Sequence, residues 1–115
     1  MKSIRVLTIF GTRPEAIKLG PLIKKLENTK NIESFVCVTA QHRDMLDQVL
    51  EVFNIKPNFD LDIMRERQTI TSITTRCLEG LDNIIKQLKP DLILVHGDTS
   101  TTFAGALSAF YNKVP

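Results

Sequence analysis

The stretch FGTRPEAIK, residues 10–18, places two cations directly after an apolar run. Arg13 carries a planar fork of donors that suits phosphate or carboxylate, and Lys18 is a flexible point charge able to reach the same ligand. Gly11 permits a tight turn and lets a ligand approach the backbone. The two cations could also simply solvate a helix surface, but their position at a strand-to-helix turn favours an anionic ligand. The stretch matches neither the dinucleotide G-x-G-x-x-G pattern nor the Walker pattern, so it indicates neither a dinucleotide nor an ATP site.

The second polar segment is VHGDTST, residues 95–101, which also follows an apolar run. Asp98 either faces a cleft, as a base or as an acceptor for a sugar hydroxyl, or caps the next helix. Thr99 could equally serve as that cap. His96 is predicted to be a partly buried, hydrogen-bonded histidine rather than a catalyst.

Two weaker clusters are AQHRDM (40–45) and RERQT (65–69). Their candidate ligand-binding side chains are Gln41, His42, Arg43, Arg65, Arg67 and Gln68. The first cluster binds a ligand or forms a solvated loop and helix cap. The second is most simply a charged loop in which Thr69 begins a helix.

The segments that position these clusters alternate between strand and helix patterns. The predicted strands are 3–10, 32–40, 59–64 and 91–97, and the predicted helices run from Thr12 to Leu26 and over 43–54, 69–88 and 101–111. This βαβαβαβα order predicts an α/β fold with an open parallel sheet and helices on both faces. Ligands bind beyond the carboxyl ends of such strands, where helix N-termini attract phosphate. The clusters after strands 1, 2 and 4 should therefore converge there.

Local patterns within these helices predict caps and faces. Thr12 and Glu15 have capping-box spacing, and Gly20-Pro21 is a potential kink. One face of the third helix is predicted to be apolar. It comprises Ile70, Ile73, Cys77, Leu81, Ile84 and Leu88. The fourth groups its large apolar residues, which are Phe103, Leu107, Phe110 and Tyr111.

The bulk composition is that of an ordinary globular domain. The chain has 115 residues, 43% of them hydrophobic and 24% charged, with a net charge of +2. This balance does not support a nucleic-acid or membrane-surface function. Cys37 and Cys77 are predicted to be reduced core residues, and no zinc spacing occurs. With neither a signal-peptide pattern nor a long apolar run, the expected location is the cytoplasm.

Four motifs together resemble one family in order and spacing. FGTRPEAIK, TAQHRDMLDQVL, ERQT and LILVHGDTSTTFAGALSAFY are similar to the N-terminal domain of the non-hydrolysing UDP-N-acetylglucosamine 2-epimerases, over essentially all of the chain. The resemblance implies a Rossmann-like half of a two-domain GT-B type fold. It also implies interconversion of UDP-GlcNAc and UDP-ManNAc by elimination and re-addition of UDP, without cofactor or metal, within cell-envelope polysaccharide biosynthesis.

The resemblance also implies roles for individual residues. Arg13 and Lys18 would serve the diphosphate or sugar end of the substrate, and Asp98 matches a carboxylate important for catalysis. Ser100 stands where the family commonly has Thr, which keeps the hydroxyl and should have little effect.

Bacterial members of the family bind a second UDP-GlcNAc as an activator. Gln41, Arg67 and Gln68 match residues of that activator site. Asp44 departs from relatives that carry Gln or Glu there, which puts an activator contact at this position in doubt.

The resemblance covers one domain, residues 1–115, and places the second domain, with its uridine site and further catalytic residues, beyond Pro115. We therefore expect an N-terminal domain that is inactive alone. One alternative is a nucleotide-sugar-binding subunit that needs a separate C-terminal partner, as in split glycosyltransferases. Another is an isolated domain that self-associates, since family members are usually homodimers that pair through helices of this domain.

Overall fold

A computed structural model of the protein describes residues 3–41 and 43–115, so His42 lies outside the described residues. Within these ranges the strands and helices alternate in the predicted order. The elements are β1 (Ile4–Phe10), α1 (Arg13–Glu27), β2 (Ile32–Val38), α2 (Arg43–Val52), β3 (Phe59–Asp60), α3 (Ile70–Leu88), β4 (Leu92–Leu94) and α4 (Ser100–Tyr111).

The strands form one parallel sheet in the order β3-β2-β1-β4. β1 lies between β2 and β4, and its buried run from Val6 to Phe10 reflects helices on both faces. Leu7 and Ile9 pack in a cluster with α3 and α4, whereas Phe10 packs with α1 and α2. The predicted open parallel sheet with helices on both faces is confirmed.

α1 begins as its sequence predicts and continues through its internal proline. The Glu15 carboxylate accepts from the Thr12 backbone N–H at 3.1 Å, as in a capping box. The helix runs from Arg13 to Glu27 as a single element across Pro21. Pro21 lies on the exposed side, where water can replace the missing intrahelical hydrogen bond.

Three predicted strands end earlier than their apolar patterns suggested, and the smallest of these differences is in β2, which ends at Val38 rather than at residue 40. The prediction of a strand over 59–64 is wrong beyond Asp60, because Asp62 has a left-handed backbone with φ 46°. The segment still follows β2, since Ile63 N–H donates to the Thr39 carbonyl at 3.0 Å. β4 ends at Leu94 rather than at Gly97, so the last three residues of the predicted strand lie outside the sheet, and Gly97 has a φ of 96°.

The large apolar residues of α4 do group together, but they face outward. Phe103, Phe110 and Tyr111 are 59%, 76% and 66% exposed. The buried side of α4 consists instead of small residues, which are Thr101, Ala104, Gly105, Ser108 and Ala109. These small residues let α4 approach the sheet closely. On α3, Ile70 is also exposed, so the predicted apolar face holds only from Ile73 onward.

Both cysteines are free thiols buried in the cluster between the sheet and α3, as predicted. No helix in the described part of the chain is long and apolar enough to cross a bilayer.

Candidate functional site

The turns after β1, β2 and β4 meet where the strands have their carboxyl ends. We call this region the carboxyl edge of the sheet. It comprises these turns and the first residues of the helices that follow β1 and β4, which are residues 11–18, 39–41 and 96–102. Glu15 joins the first turn to the third. Its Oε1 accepts from the backbone N–H groups of Gly11 and Thr12 at 2.9 and 3.1 Å, and from the Thr12 hydroxyl at 3.1 Å. Its Oε2 lies 2.7 Å from the Thr99 hydroxyl and 3.1 Å from the Thr102 hydroxyl.

Thr101 makes the corresponding link to the second turn. Its Oγ1 lies 2.8 Å from the Thr39 hydroxyl and donates to Gln41 Oε1 at 2.7 Å. Gly11 lies against both threonines, and a Cβ at this position would collide with Thr39 Oγ1 and Thr101 Oγ1. Only glycine fits where the three turns converge.

The Glu15 contacts change how this edge could hold an anion. Helix N-termini at this edge were expected to attract phosphate, but the N–H groups of the N-cap Thr12 and of Gly11 before it already bind a buried carboxylate. The Thr102 N–H of α4 is likewise taken by the Thr99 hydroxyl at 3.3 Å. These three N–H groups are therefore not available to a diphosphate.

Arg13, Lys18 and Asp98 are the charged side chains left available at this edge. All three are exposed, and none makes a hydrogen bond or ion pair with another residue that the structure describes. Thr99, whose side chain accepts from Thr102 N–H, is the N-cap of α4, so Asp98 does not cap that helix. The structure therefore leaves the cleft-facing interpretation of Asp98 open and excludes the capping one.

His96 is exposed, and the prediction that it is partly buried is wrong. β4 ends two residues before it, and the chain has already left the sheet. Its carbonyl group accepts from the Thr102 hydroxyl at 2.7 Å, which fixes the backbone of the turn.

The residues proposed for an activator differ in how far they are already engaged. The Gln68 side chain spans its own loop, accepting from Arg65 N–H at 2.7 Å and donating to the Ile63 carbonyl at 2.9 Å. Gln41 uses its carbonyl oxygen on Thr101, while its amide nitrogen has no partner among the described residues. Arg67 is exposed with φ 56°, and it too contacts no described partner.

Arg43, which lies on α2, forms ion pairs with β3 and with the loop that follows it, residues 61–68. Its guanidinium binds both carboxylate oxygens of Asp60 at 2.8 Å and Asp62 at 3.2 Å. Hydrogen bonding to Asp60 raises the pKa of the Arg43 guanidinium, so it is always charged. Arg43 therefore acts as a structural clasp, which favours the loop-and-cap interpretation for this member of the AQHRDM cluster.

Sequence reasoning identified Glu15 only as the local half of a capping box. Its contacts with Thr99 and Thr102 span 84 and 87 residues, and nothing in the spacing near Glu15 signals them. The available signal was indirect: four consecutive hydroxyl residues follow Gly97-Asp98, more than a single helix cap requires.

An open parallel sheet with helices on both faces and polar turns at the carboxyl ends of its strands is a Rossmann-like domain. The family model for UDP-N-acetylglucosamine 2-epimerase matches residues 24–115. The chain belongs to this family.

Individual relatives agree with the family model. The UDP-N-acetylglucosamine 2-epimerase of Bacillus subtilis is 60% identical over 114 residues, a match that covers 99% of this chain and 30% of the relative. A crystal structure of the Neisseria meningitidis UDP-GlcNAc 2-epimerase bound to UDP-GlcNAc superposes with a TM-score of 0.90 at 54% identity, covering 97% of this chain and 31% of that one. The chain thus spans about 30% of the length of these relatives.

A more distant structure shares the fold alone. MurG of Acinetobacter baumannii, a GT-B type protein, superposes with a TM-score of 0.71 at 19% identity, covering 97% of this chain and 33% of that one. The sheet and its helices are therefore those of one Rossmann-like half of the GT-B type fold.

Proposed function

We propose that this chain is the N-terminal, incomplete part of a UDP-GlcNAc 2-epimerase, in which Arg13, Lys18 and Asp98 contribute one side of the active site. The observation that carries the proposal is the contrast at the carboxyl edge. Glu15, Thr99 and Thr101 are engaged in hydrogen bonds between the turns. The three charged side chains of the family motifs make no such bonds and remain available to a ligand.

The proposed reaction assigns different work to the cations and to the carboxylate. Elimination moves the C2 proton of the sugar to a base and breaks the bond between C1 and the diphosphate oxygen, which leaves a glycal and UDP. Re-addition of UDP at C1, with return of a proton to the opposite face of C2, completes the isomerisation. Arg13 and Lys18 stabilise the charge that develops on the departing diphosphate. Asp98 acts as the base or holds a sugar hydroxyl, provided that the closed site keeps water out.

A second UDP-GlcNAc is proposed to bind as an activator beside this site. Arg67 supplies its cationic contact because its side chain is exposed and unengaged among described residues. Gln41 offers its amide nitrogen, while Gln68 keeps one hydrogen-bonding position on each amide atom after holding its loop. The main effect of Gln68 on the activator would then be to fix the position of Arg67, its neighbour in the same loop.

The family also suggests an assembly and a location for the protein. We infer a cytoplasmic homodimer that acts in cell-envelope polysaccharide biosynthesis, with no nucleic-acid or membrane partner. The exposed apolar side chains of α4 support pairing through this domain.

A chimera tests the proposed function directly. In it, this chain replaces the matched segment of the Bacillus subtilis relative, which is 60% identical. The chimera is expected to form UDP-ManNAc from UDP-GlcNAc, whereas the 115-residue chain alone is expected to form none. The matched control is the chimera with Asp98→Asn, which keeps the shape and removes the charge, and which should lose most of the activity. An active chimera that tolerates Asp98→Asn would refute the role of Asp98, and activity of the chain alone would refute its incompleteness.

The same two protein segments also test the alternative that the enzyme consists of two separate chains. The remaining segment of the Bacillus subtilis relative is supplied as a separate chain together with the 115-residue chain. Activity restored by mixing would favour a binding subunit that needs a separate partner. Activity only in the fused chimera would favour part of a single-chain enzyme.

A further inference from the structure

Glu15 is a buried carboxylate, 3% exposed, at the carboxyl edge of the sheet. We propose that it is a positioning residue, which fixes the turn carrying Asp98 relative to the start of α1, and hence relative to Arg13. The inference rests on the proposed function for its catalytic consequence, although its structural part can be measured independently.

The contacts of Glu15 divide cleanly between the two turns. Oε1 takes its donors from the turn after β1, and Oε2 faces the hydroxyl groups of Thr99 and Thr102 in the turn after β4. Among the described residues no cation pairs with this carboxylate. A buried carboxylate must be compensated by hydrogen bonds. The donors of the turn after β1 and the Thr99 hydroxyl provide that compensation, while the single hydroxyl proton of Thr102 goes to the nearer His96 carbonyl.

The turn after β4 is wrapped around the Glu15 side chain on several sides. Gly97 lies against it, since a Cβ there would stand 3.8 Å from both Glu15 Cγ and Oε2. Thr99 directly follows Asp98 and bonds Oε2 at 2.7 Å. Thr102 adds a link to the His96 carbonyl at 2.7 Å, so the residues on both sides of Asp98 are fixed. Displacement of this carboxylate would therefore shift the Asp98 backbone.

The competing explanation is that Glu15 merely caps α1. Asp and Gln substitutions separate the two, because Asp changes only the length of the side chain and Gln changes only its charge. Asp keeps the negative charge that favours a helix N-terminus, but it is one methylene too short to reach Thr99. Gln keeps the length, and its amide nitrogen can donate to the threonine hydroxyls, which also serve as acceptors. If Glu15 only caps α1, the Asp variant should therefore resemble the unchanged protein more than the Gln variant does. If Glu15 links the two turns, the Gln variant should resemble it more.

The experiment uses the active chimera with E15D, E15Q and E51Q. Glu51 is an exposed α2 residue whose substitution removes the same charge, so E51Q should match the unchanged chimera. E15D is expected to lower kcat by about 10- to 100-fold with KM for UDP-GlcNAc little changed, since small misplacements of catalytic groups have effects of this order. E15Q should lose clearly less than E15D. Hydrogen exchange of the backbone amides of residues 97–102 should speed up in the same order.

Each outcome decides the proposal. If E15D retains more kcat and slower exchange than E15Q, Glu15 is a local cap and the proposal is overturned. An inactive chimera would refute the proposed function, while the exchange of residues 97–102 would still test the tie. Should the Glu15 variants not fold, Thr99→Ser and Thr99→Val examine the same contact from its other end. Only the loss of the hydroxyl in Thr99→Val should then reduce kcat, and equal behaviour of the two would overturn the proposal.

Discussion

Cys37 and Cys77 lie in one apolar cluster between the sheet and α3, and neither side chain reaches solvent. Burial raises the pKa of the Cys37 thiol to about 12, with smaller contributions from Asp60 and Cys77. Burial likewise raises the pKa of the Cys77 thiol to about 11, although a hydrogen bond with Thr101 opposes the shift. Thiolates are the reactive form of cysteine, so both thiols should be inert packing groups at neutral pH.

The raised thiol pKa values predict a loss of stability in alkali. An unfolded thiol titrates near about 8.5, so the folded state holds the proton more tightly than the unfolded state does. The thiol contribution to folding is fully present below that pH and is lost as pH rises through about 11 and 12. Denaturant unfolding from pH 8 to 11 should show a falling free energy of unfolding, less steeply in Cys37→Ala than in the unchanged chain. Equal slopes in the two proteins would contradict the assignment.

At the residue scale, local spacing in the sequence predicted only part of the candidate site. Arg13, Lys18 and Asp98 could be chosen as candidates because each follows a strand pattern within a few residues. The contacts of Glu15 with Thr99 and Thr102 could not be predicted in this way, because they are tertiary contacts between residues far apart in the sequence. The exposure of His96 was missed for a similar reason, since a strand pattern does not reveal where pairing stops.

At the scale of single elements, the loop from β3 to α3 is held by the Arg43 guanidinium as well as by its own apolar residues, of which Ile63 is buried. The alternating pattern FDLDIM favours a strand, but its two aspartates turn toward the Arg43 guanidinium on α2. Such bidentate, charge-assisted hydrogen bonds are stronger than ordinary surface ion pairs. Long-range pairing of this kind has no trace in local propensity, which explains why the strand was predicted too long.

Removal of the Arg43 clasp should loosen this loop. Arg43→Gln is expected to lower the free energy of unfolding by about 1 kcal/mol, since the group is partly exposed. It should also speed hydrogen exchange of amides in residues 61–68, which carry Arg67 and Gln68. Arg76→Gln is the matched control, because Arg76 is exposed and has no described partner. Exchange in residues 61–68 that is no faster in Arg43→Gln than in Arg76→Gln would show that the clasp does not hold the loop.

At the scale of the whole molecule, alternation of strand and helix patterns was enough to predict the sheet and its two helical layers. The burial of α4 was not predictable in the same way. Its large residues look like a core face, yet the helix packs through Ala104, Gly105 and Ser108. Beside α4, Ile93 N–H donates to the Pro115 carbonyl at 2.9 Å, so the chain already pairs with the free edge of β4. This side of the sheet therefore combines the edge strand β4, with which Pro115 pairs, and the exposed apolar face of α4.

The exposed face of α4 predicts self-association of the 115-residue chain. Phe110 is 76% exposed beside Tyr111, with ring centroids 6.3 Å apart, and Phe103 lies on the same helix. Large aromatic side chains dominate association energies, so Phe110→Ser should weaken dimers by about tenfold or more in sedimentation equilibrium. Val52→Ser is the control, because Val52 is exposed on α2, which packs on the opposite face of the sheet. Equal weakening by both variants would indicate nonspecific aggregation, whereas selective weakening by Phe110→Ser would place the contact on α4. A chain that remains monomeric at high concentration would instead mean that this face does not pair with a second copy.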